Sequence, residues 1–389
     1  MQLLGFERLR RSDLGRPSDQ RTGDLLMNKK LLAVAVAGAL ALPGVALAQS
    51  SVTISGFLKM GIDNVKLSNT AKNPSSESRV QDDSSRIIFN VREDLGGGLA
   101  AIAQIDWRVT PDTGTDAISG NNHVGLQSKQ WGRIFLGRQD VHYFGRESDL
   151  TAKGSLKADS ISLLAFAGGG GTAIAAATRT TNIIHYTTPN WGGFSAVIAY
   201  STNPNAAEAD IGSGTRKGRA WNVAPVLAGS NYVIGYSYWS QKADGAGAGS
   251  DQRGDRLFGS YKWGGFKVGL AWDKSKIKNG TTGVTTSNRT AWSIPASYTW
   301  GANEVHAHYT KARDDKATAA QDGAKMFAIA YAYNLSKRTS MALTYAKITN
   351  DAGAFYQPFT GTGALGNAAS TAAPGEDPRV LSATLRHAF

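Results

Sequence analysis

Three side chains that could ligate a metal or exchange a proton, Glu304, His306 and His308, fall at alternate positions of one short segment. In an extended chain that spacing puts all three on one face. Imidazole with carboxylate is the donor set of zinc sites and of many hydrolases. The other histidines, His123, His142, His185 and His387, are scattered, and the chain contains no Cys. Disulfides, thiolate metal sites, cysteine nucleophiles and redox pairs are thereby excluded. The glycine run Gly168–Gly171 is not followed by Gly-Lys-Ser/Thr, so it makes no phosphate cradle. Scattered polar positions along a wetted strand account for the histidines, and no catalytic residue, metal site or cofactor is assigned. The arginines make a different pattern. Arg86, Arg92, Arg108 and Arg133 share the polar parity of their segments, with Asp106 among them. Guanidinium groups keep their charge at any working pH. Arginines lining water would supply a fixed positive field, and rings of Arg or Lys favour anions.

What must position these side chains is a strand-rich framework. The 389 residues include 45 Gly, 9 Trp, 13 Tyr and 13 Phe, and only 19% are charged, below the roughly 25% usual in soluble domains. There are 42 Lys+Arg against 30 Asp+Glu, a net charge of +12. The first 48 residues are expected to be targeting sequence. Residues 1–26 are charged, lack an apolar period and read as an atypical extension from a misplaced start. Residues 27–48 open on Met27-Asn28-Lys29-Lys30 and run uncharged from Leu31. They break at Pro43-Gly44 and end in Ala46-Leu47-Ala48, the form of a cleaved secretory signal. The break and the small-residue ending argue against a membrane helix. Removing 1–48 leaves 35 basic and 26 acidic residues, a net +9, in the 341 residues of 49–389. The basic surplus need not be a nucleic-acid patch, and no nucleic-acid partner is expected.

From Gln49 onward the hydropathy period is two. Val52, Ile54, Leu58, Met60 and Ile62 alternate with Thr53, Ser55, Lys59 and Asp63; Ile105, Trp107 and Val109 alternate with Gln104, Asp106 and Arg108. A soluble sandwich alternates in the same way, so the connections must decide. Tight ones lie at 93–99, 129–132, 189–194, 228–231, 263–266, 300–303 and 335–338. Long ones lie near 67–83, 110–121, 140–178, 201–218, 242–254, 276–288, 312–323 and 348–378. Seven tight turns and eight long loops imply sixteen strands, with both ends of the series on the tight-turn side. Short turns at one end and long loops at the other, with an even strand number, match an outer-membrane barrel. Trp131, Trp191, Phe194, Trp263, Phe266 and Trp300 crowd the tight turns, as an interfacial aromatic girdle would. In hydrocarbon such a sheet must close on itself, and sixteen strands enclose water.

The segments SSVTISGFLKMGIDNV (50–65), SRIIFNVREDLGGGLAAIAQID (85–106), GRIFLGRQD (132–140), RTTNIIHYTTPNWGGFSAVIAYS (179–201) and LSATLRHAF (381–389) carry a family likeness. Over nearly all of 49–389 the chain resembles the general diffusion porins of Gram-negative bacteria, β-proteobacterial type. The resemblance implies an all-β fold: a 16-stranded antiparallel transmembrane β-barrel with short periplasmic turns and long extracellular loops. It also implies a homotrimer in the outer membrane, and a third loop folded into the lumen as a constriction. Facing that loop, the family pattern puts an arginine cluster at Arg86, Arg138 and Arg179, opposed by loop acids including Asp140, Glu147 and Asp149. Arg138 breaks the parity of Ile134 and Leu136, so a bulge or strand exit is needed there. The implied function is passive diffusion of ions and small hydrophilic solutes, with an anion preference that the +9 charge also favours. A channel preferring a sugar, phosphate or organic anion is the alternative. Expected partners are outer-membrane lipid and lipopolysaccharide, and the barrel-assembly machinery. Phe389, with Leu385, Ala383 and Leu381 at alternate positions before it, forms a strand edge suited to β-augmentation by that machinery.

Overall fold

A computed structural model describes residues 50–142, 153–164, 177–204, 218–243, 250–358 and 372–389. The period-two segments become strands. β1 (Ser51–Ser68), β2 (Ser76–Asp82), β3 (Arg86–Gly96) and β4 (Leu99–Thr110) begin the series. β5 (Thr115–Ala117), β6 (Asn122–Ser128), β7 (Gly132–Asp140), β8 (Arg179–Thr187) and β9 (Phe194–Ser201) follow. Next come β10 (Arg219–Ala228), β11 (Tyr232–Lys242), β12 (Ser250–Trp263), β13 (Phe266–Asn279) and β14 (Thr285–Trp300). β15 (Asn303–Ala312), β16 (Ala324–Asn334), β17 (Thr339–Asn350) and β18 (Asp377–Ala388) complete it. Neighbours pair antiparallel, and β18 returns to β1 from Phe57↔Ala388 to Ser68↔Asp377, closing the cylinder. β2 and β5 are loop strands: β2 flanks the far half of β1, beyond the reach of β3, and β5 caps β4. The remaining sixteen are the staves that the turn count predicts.

All seven tight turns fall where expected. Gly97-Gly98 between β3 and β4 have φ of 60° and 80°, in the left-handed region that glycine enters without strain. Two long connections are shorter than expected. β12 already starts at Ser250 within 242–254, and the ends of β13 and β14 reduce 276–288 to the five residues 280–284. The cause is composition. Lys274, Lys276 and Lys278 alternate with Ser275 and Ile277 in regular pairs with β12 and β14, a strand continued into water that reads locally as a polar loop.

Each stave shows its two environments. Along β16, Ala324, Met326, Ala328, Ala330 and Ala332 are buried inside, while Lys325, Phe327, Ile329, Tyr331 and Tyr333 face out. Large apolar groups outside and small or polar ones inside invert the pattern of a soluble core, as a barrel in lipid requires. At the tight-turn rim the aromatics join into a track. Ring centroids are 5.6 Å apart for Trp263–Phe266, 4.2 Å for Phe266–Tyr298 and 5.2 Å for Tyr298–Trp300.

At the opposite rim the first and last long loops are tied together. Asn69 Nδ2 donates to Asp377 Oδ2 at 3.0 Å, and Thr70 and Lys72 both donate to the Glu376 carboxylate. Burial pushes the Glu376 carboxyl up, but the hydrogen bonds from Lys72, Thr70 and the Ala373 N–H outweigh it and hold the group below its ordinary value. A depressed carboxyl stabilises the fold above its ordinary pKa, and the contribution fades as pH falls through the folded value. Amide-exchange protection of residues 69–75 should therefore drop below about pH 4.5. Glu376→Gln should show the low protection already at neutral pH. Equal protection in both proteins across that range refutes the tie.

Candidate functional site

The third long loop turns inward. Its described stretch, 153–164, meets inward-facing positions of the wall and Asp83 of the β2–β3 connection. Lys59 Nζ donates to the Gly154 carbonyl at 2.9 Å, and the Ser155 N–H donates to Thr344 Oγ1 at 3.2 Å. Thr384 Oγ1 donates to the Lys153 carbonyl at 3.2 Å. The loop ends in a helical turn, Ile161–Leu164, whose Leu163 and Leu164 are fully buried in one core with Ala271, Ala291, Ala312, Ala324, Met326 and Ala328. The alanines of β13–β16 leave the room that these leucines occupy.

Four charges fix the loop's approach. Lys157 Nζ lies 2.7 Å from Asp63 Oδ2, and Lys59 Nζ lies 3.1 Å from Asp83 Oδ2. Asp83 Oδ1 also accepts from the Leu156 N–H at 2.9 Å. All four side chains are at most 3% exposed. Buried charges are tolerated when paired and hydrogen-bonded in this way. Sequence reasoning noted Lys59 and Asp63 only as polar-face residues and passed over Asp83. Their i, i+4 placement on the inner face of β1 was the available signal.

The arginines gather on another sector of the wall. Arg86 and Arg108 are cross-strand partners on β3 and β4, and both reach toward Asp106. The distances to its carboxylate are 3.9 Å from Arg86 Nη1 and 2.9 Å from Arg108 Nε. Ser84 Oγ accepts from both arginines, at 2.7 and 3.0 Å. Gly120 lets the neighbouring loop close over this carboxylate: a Cβ there would stand 2.0 Å from Asp106 Cγ. Arg179 Nε donates to Asp140 Oδ1 at 3.1 Å, and Asn121 Nδ2 holds the other Asp140 oxygen at 2.8 Å. Arg138 sits where the β7–β8 register slips between Gly137 and Gln139, and it feels the charges of Arg179, Asp140 and Arg108. Four guanidiniums thus face two carboxylates, and positive charge is in excess. Side-chain exposures of 23%, 17% and 21% for Arg86, Arg108 and Arg179 leave the groups in contact with lumen water.

Other site residues stand apart. Arg92 donates to Gln127 Oε1 at 3.2 Å. Arg133 covers the Phe135 ring at 5.1 Å, and Phe135 stacks between His123 and His185. Both arginines lie on the tight-turn side of the cluster. Asp140 is the cross-strand partner of Arg179, so it stands beside the arginines rather than across the lumen. Asp159 accepts from the Ile161 N–H at 2.9 Å and caps the helical turn. Glu147, Asp149 and Gly168–Gly171 lie outside the described residues. Glu304 pairs with His306 and with Lys153. His308 Nε2 instead meets the Ala158 carbonyl at 2.7 Å, and its Nδ1 meets Thr310 Oγ1 at 2.9 Å. The trio is split between partners, and among the described residues no group of three or more potential ligands gathers.

Residues 33–353 match the family described as Gram-negative porin. Outer membrane porin protein 32 of Delftia acidovorans is 30% identical, over 93% of this chain and all of its own length. An anion-selective porin from Comamonas acidovorans, 25% identical, superposes with a TM-score of 0.72 over 88% of this chain and 100% of that one. The OmpT protein of Vibrio cholerae in its trimer form, 12% identical, shares the fold, with a TM-score of 0.62 over 87% and 99% of the two chains. A closed cylinder of sixteen antiparallel staves, greasy outside, wet inside and narrowed by an inward loop, agrees with this kinship: the chain belongs to the Gram-negative porin family and is a channel protein of the outer membrane.

Proposed function

We propose that this channel passes small hydrophilic solutes by passive diffusion with a preference for anions, selected at the Arg86–Arg108–Arg138–Arg179 cluster. The observation that carries this is the sidedness of the lumen. The loop segment 153–164 is packed onto β1 and the staves from β14 to β18, while the arginines, about one-fifth exposed, line the wall at β3–β8. The passage therefore runs beside fixed positive charge, which attracts anions and repels cations. The structural likeness to a porin titled anion-selective supports the same reading. Purified protein in a planar bilayer under a salt gradient should give a reversal potential of anion sign. A potential of cation sign refutes the assignment.

Four further features belong to the proposal. The protein assembles as a homotrimer through outward apolar residues such as Val52, Ile54 and Leu58, which are 66%, 58% and 43% exposed. Conductance should then rise in steps of three. The mature chain starts near Gln49, after a cleaved signal at 27–48. Phe389 and the outward Leu381 and Leu385 present the strand that the assembly machinery takes up. The outer leaflet's lipopolysaccharide contacts the outer face of the barrel.

A further inference from the structure

The last strand places one more arginine in the lumen. Arg386 of β18 faces inward, with Lys59 of β1 and Ser340 of β17 as its cross-strand partners. Neither is an acid, and Lys59 is itself taken up by Asp83 and the Gly154 carbonyl. The Arg386 guanidinium instead stands 4.6 Å from the centre of the Phe57 ring. Among the described residues it makes no hydrogen bond or ion pair. Arg86, on the strand at the other side of β1, approaches the same ring at 4.8 Å. Two residues further into the barrel, Thr384 holds the Lys153 carbonyl at 3.2 Å, so Arg386 stands just periplasmic of the third loop.

Phe57 is an unusual ring for a wetted wall. Trp239, Phe258 and Ile277 also point inward, but they are buried in the two apolar clusters of the barrel. Phe57 belongs to neither cluster and is part-exposed. So is Ile88, its diagonal neighbour on β3, which pairs with Ser55. Apolar surface left in water is a cost that a solute can remove. Stacking on the ring also leaves the edge of the Arg386 guanidinium, with its fork of N–H donors, open to a planar oxyanion. Arg133 is held in the same way on Phe135, but that ring is 1% exposed between His123 and His185 and presents no apolar edge.

We propose that Arg386, Phe57 and Ile88 form a subsite for small aromatic monocarboxylates, of which benzoate is the simplest. The carboxylate takes the Arg386 fork in a bidentate pair, and the solute's ring leaves water against Phe57 and Ile88. Chloride gains the charge interaction alone. Acetate gains the fork without the apolar contact, so the subsite ranks benzoate above both. The inference rests on the anion preference proposed above and adds to it a class of solute.

The test is block of chloride current in planar bilayers. Benzoate added to both sides of wild-type channels should lower single-channel chloride conductance saturably, at a concentration roughly 10-fold below that needed for acetate. Arg386→Gln should raise the half-blocking benzoate concentration about 10-fold, as expected for the loss of one charge-assisted pair. Arg386→Lys keeps the charge without the fork and should fall between. Phe57→Ser should bring the benzoate value up to that of acetate. Lys129→Gln, which removes a cation from the tight turn between β6 and β7, should be blocked as wild type is. Chloride channels in each variant show that its barrel is folded. If Arg386→Gln does not fold, Arg386→Lys and Phe57→Ser carry the test. Equal block of wild type by benzoate and acetate overturns the subsite, as does unchanged benzoate block in the Arg386 and Phe57 variants. A reversal potential of cation sign in wild type overturns the anion preference itself, which a missing benzoate block leaves standing.

Discussion

Replacing Arg86, Arg108 and Arg179 together with glutamine should reverse the sign of the zero-current potential in a salt gradient and lower chloride conductance. Each guanidinium acts on an ion about 8 Å away with roughly 0.5–2 kcal/mol, depending on the effective dielectric. Losing three leaves Asp106 and Asp140 facing Arg138 alone, so the local balance turns negative. The difference from wild type should shrink in molar salt, where the screening length falls to about 3 Å. Arg92→Gln with Arg133→Gln provides the comparison, since those side chains lie away from the cluster and engage Gln127 and the Phe135 ring. An effect of the pair as large as that of the triple would place selectivity elsewhere in the lumen.

The second large effect is expected at Asp83. Its carboxylate balances Lys59 and accepts the Leu156 N–H, so Asp83→Ala strands buried charge and releases the third loop's anchor. Breaking a buried pair by removing one partner costs about 3–5 kcal/mol. The variant should lose heat resistance on gels and show larger, noisier single-channel currents, with faster entry of bulkier solutes in liposome swelling. Asp83→Asn keeps an acceptor for the Leu156 N–H and should fall between the two. Wild-type currents and swelling rates in the alanine variant would show that the loop is held without this residue.

The framework was legible because a barrel in lipid writes itself in alternation and turn spacing. Both are local signals. The doubled Trp-Gly-Gly-Phe turns at 191–194 and 263–266 and the Gly-rich turn at 95–98 fixed the tight-turn side. The loop strands β2 and β5 were missed because their sequences, SESRVQD and TDA, have no apolar alternation. They are strands only because β1 and β4 offer unsatisfied edges beyond β3 and β6. The loop anchor was illegible for a different reason. Asp83 and Lys157 are 74 positions apart and far from Asp63 and Lys59 in register with nothing local, so only closure of the barrel brings them together. Arg138 shows the converse: its parity mismatch with Ile134 and Leu136 was a visible irregularity, and the chain slips register there.

The join between β1 and β18 pairs positions about 330 residues apart, as in Phe57↔Ala388. Phe389 extends it through two backbone hydrogen bonds with Gly56, 3.1 and 3.2 Å long. Contacts so distant in sequence form late, because the loop-closure entropy must be met before they stabilise anything. Until then both terminal strands expose unpaired amides and carbonyls, which are templates for pairing with another copy. Aggregation risk is therefore concentrated in the interval between export and ring completion. Yield in heterologous expression should depend on chaperone shielding of those two strands far more than on the stability of the finished cylinder.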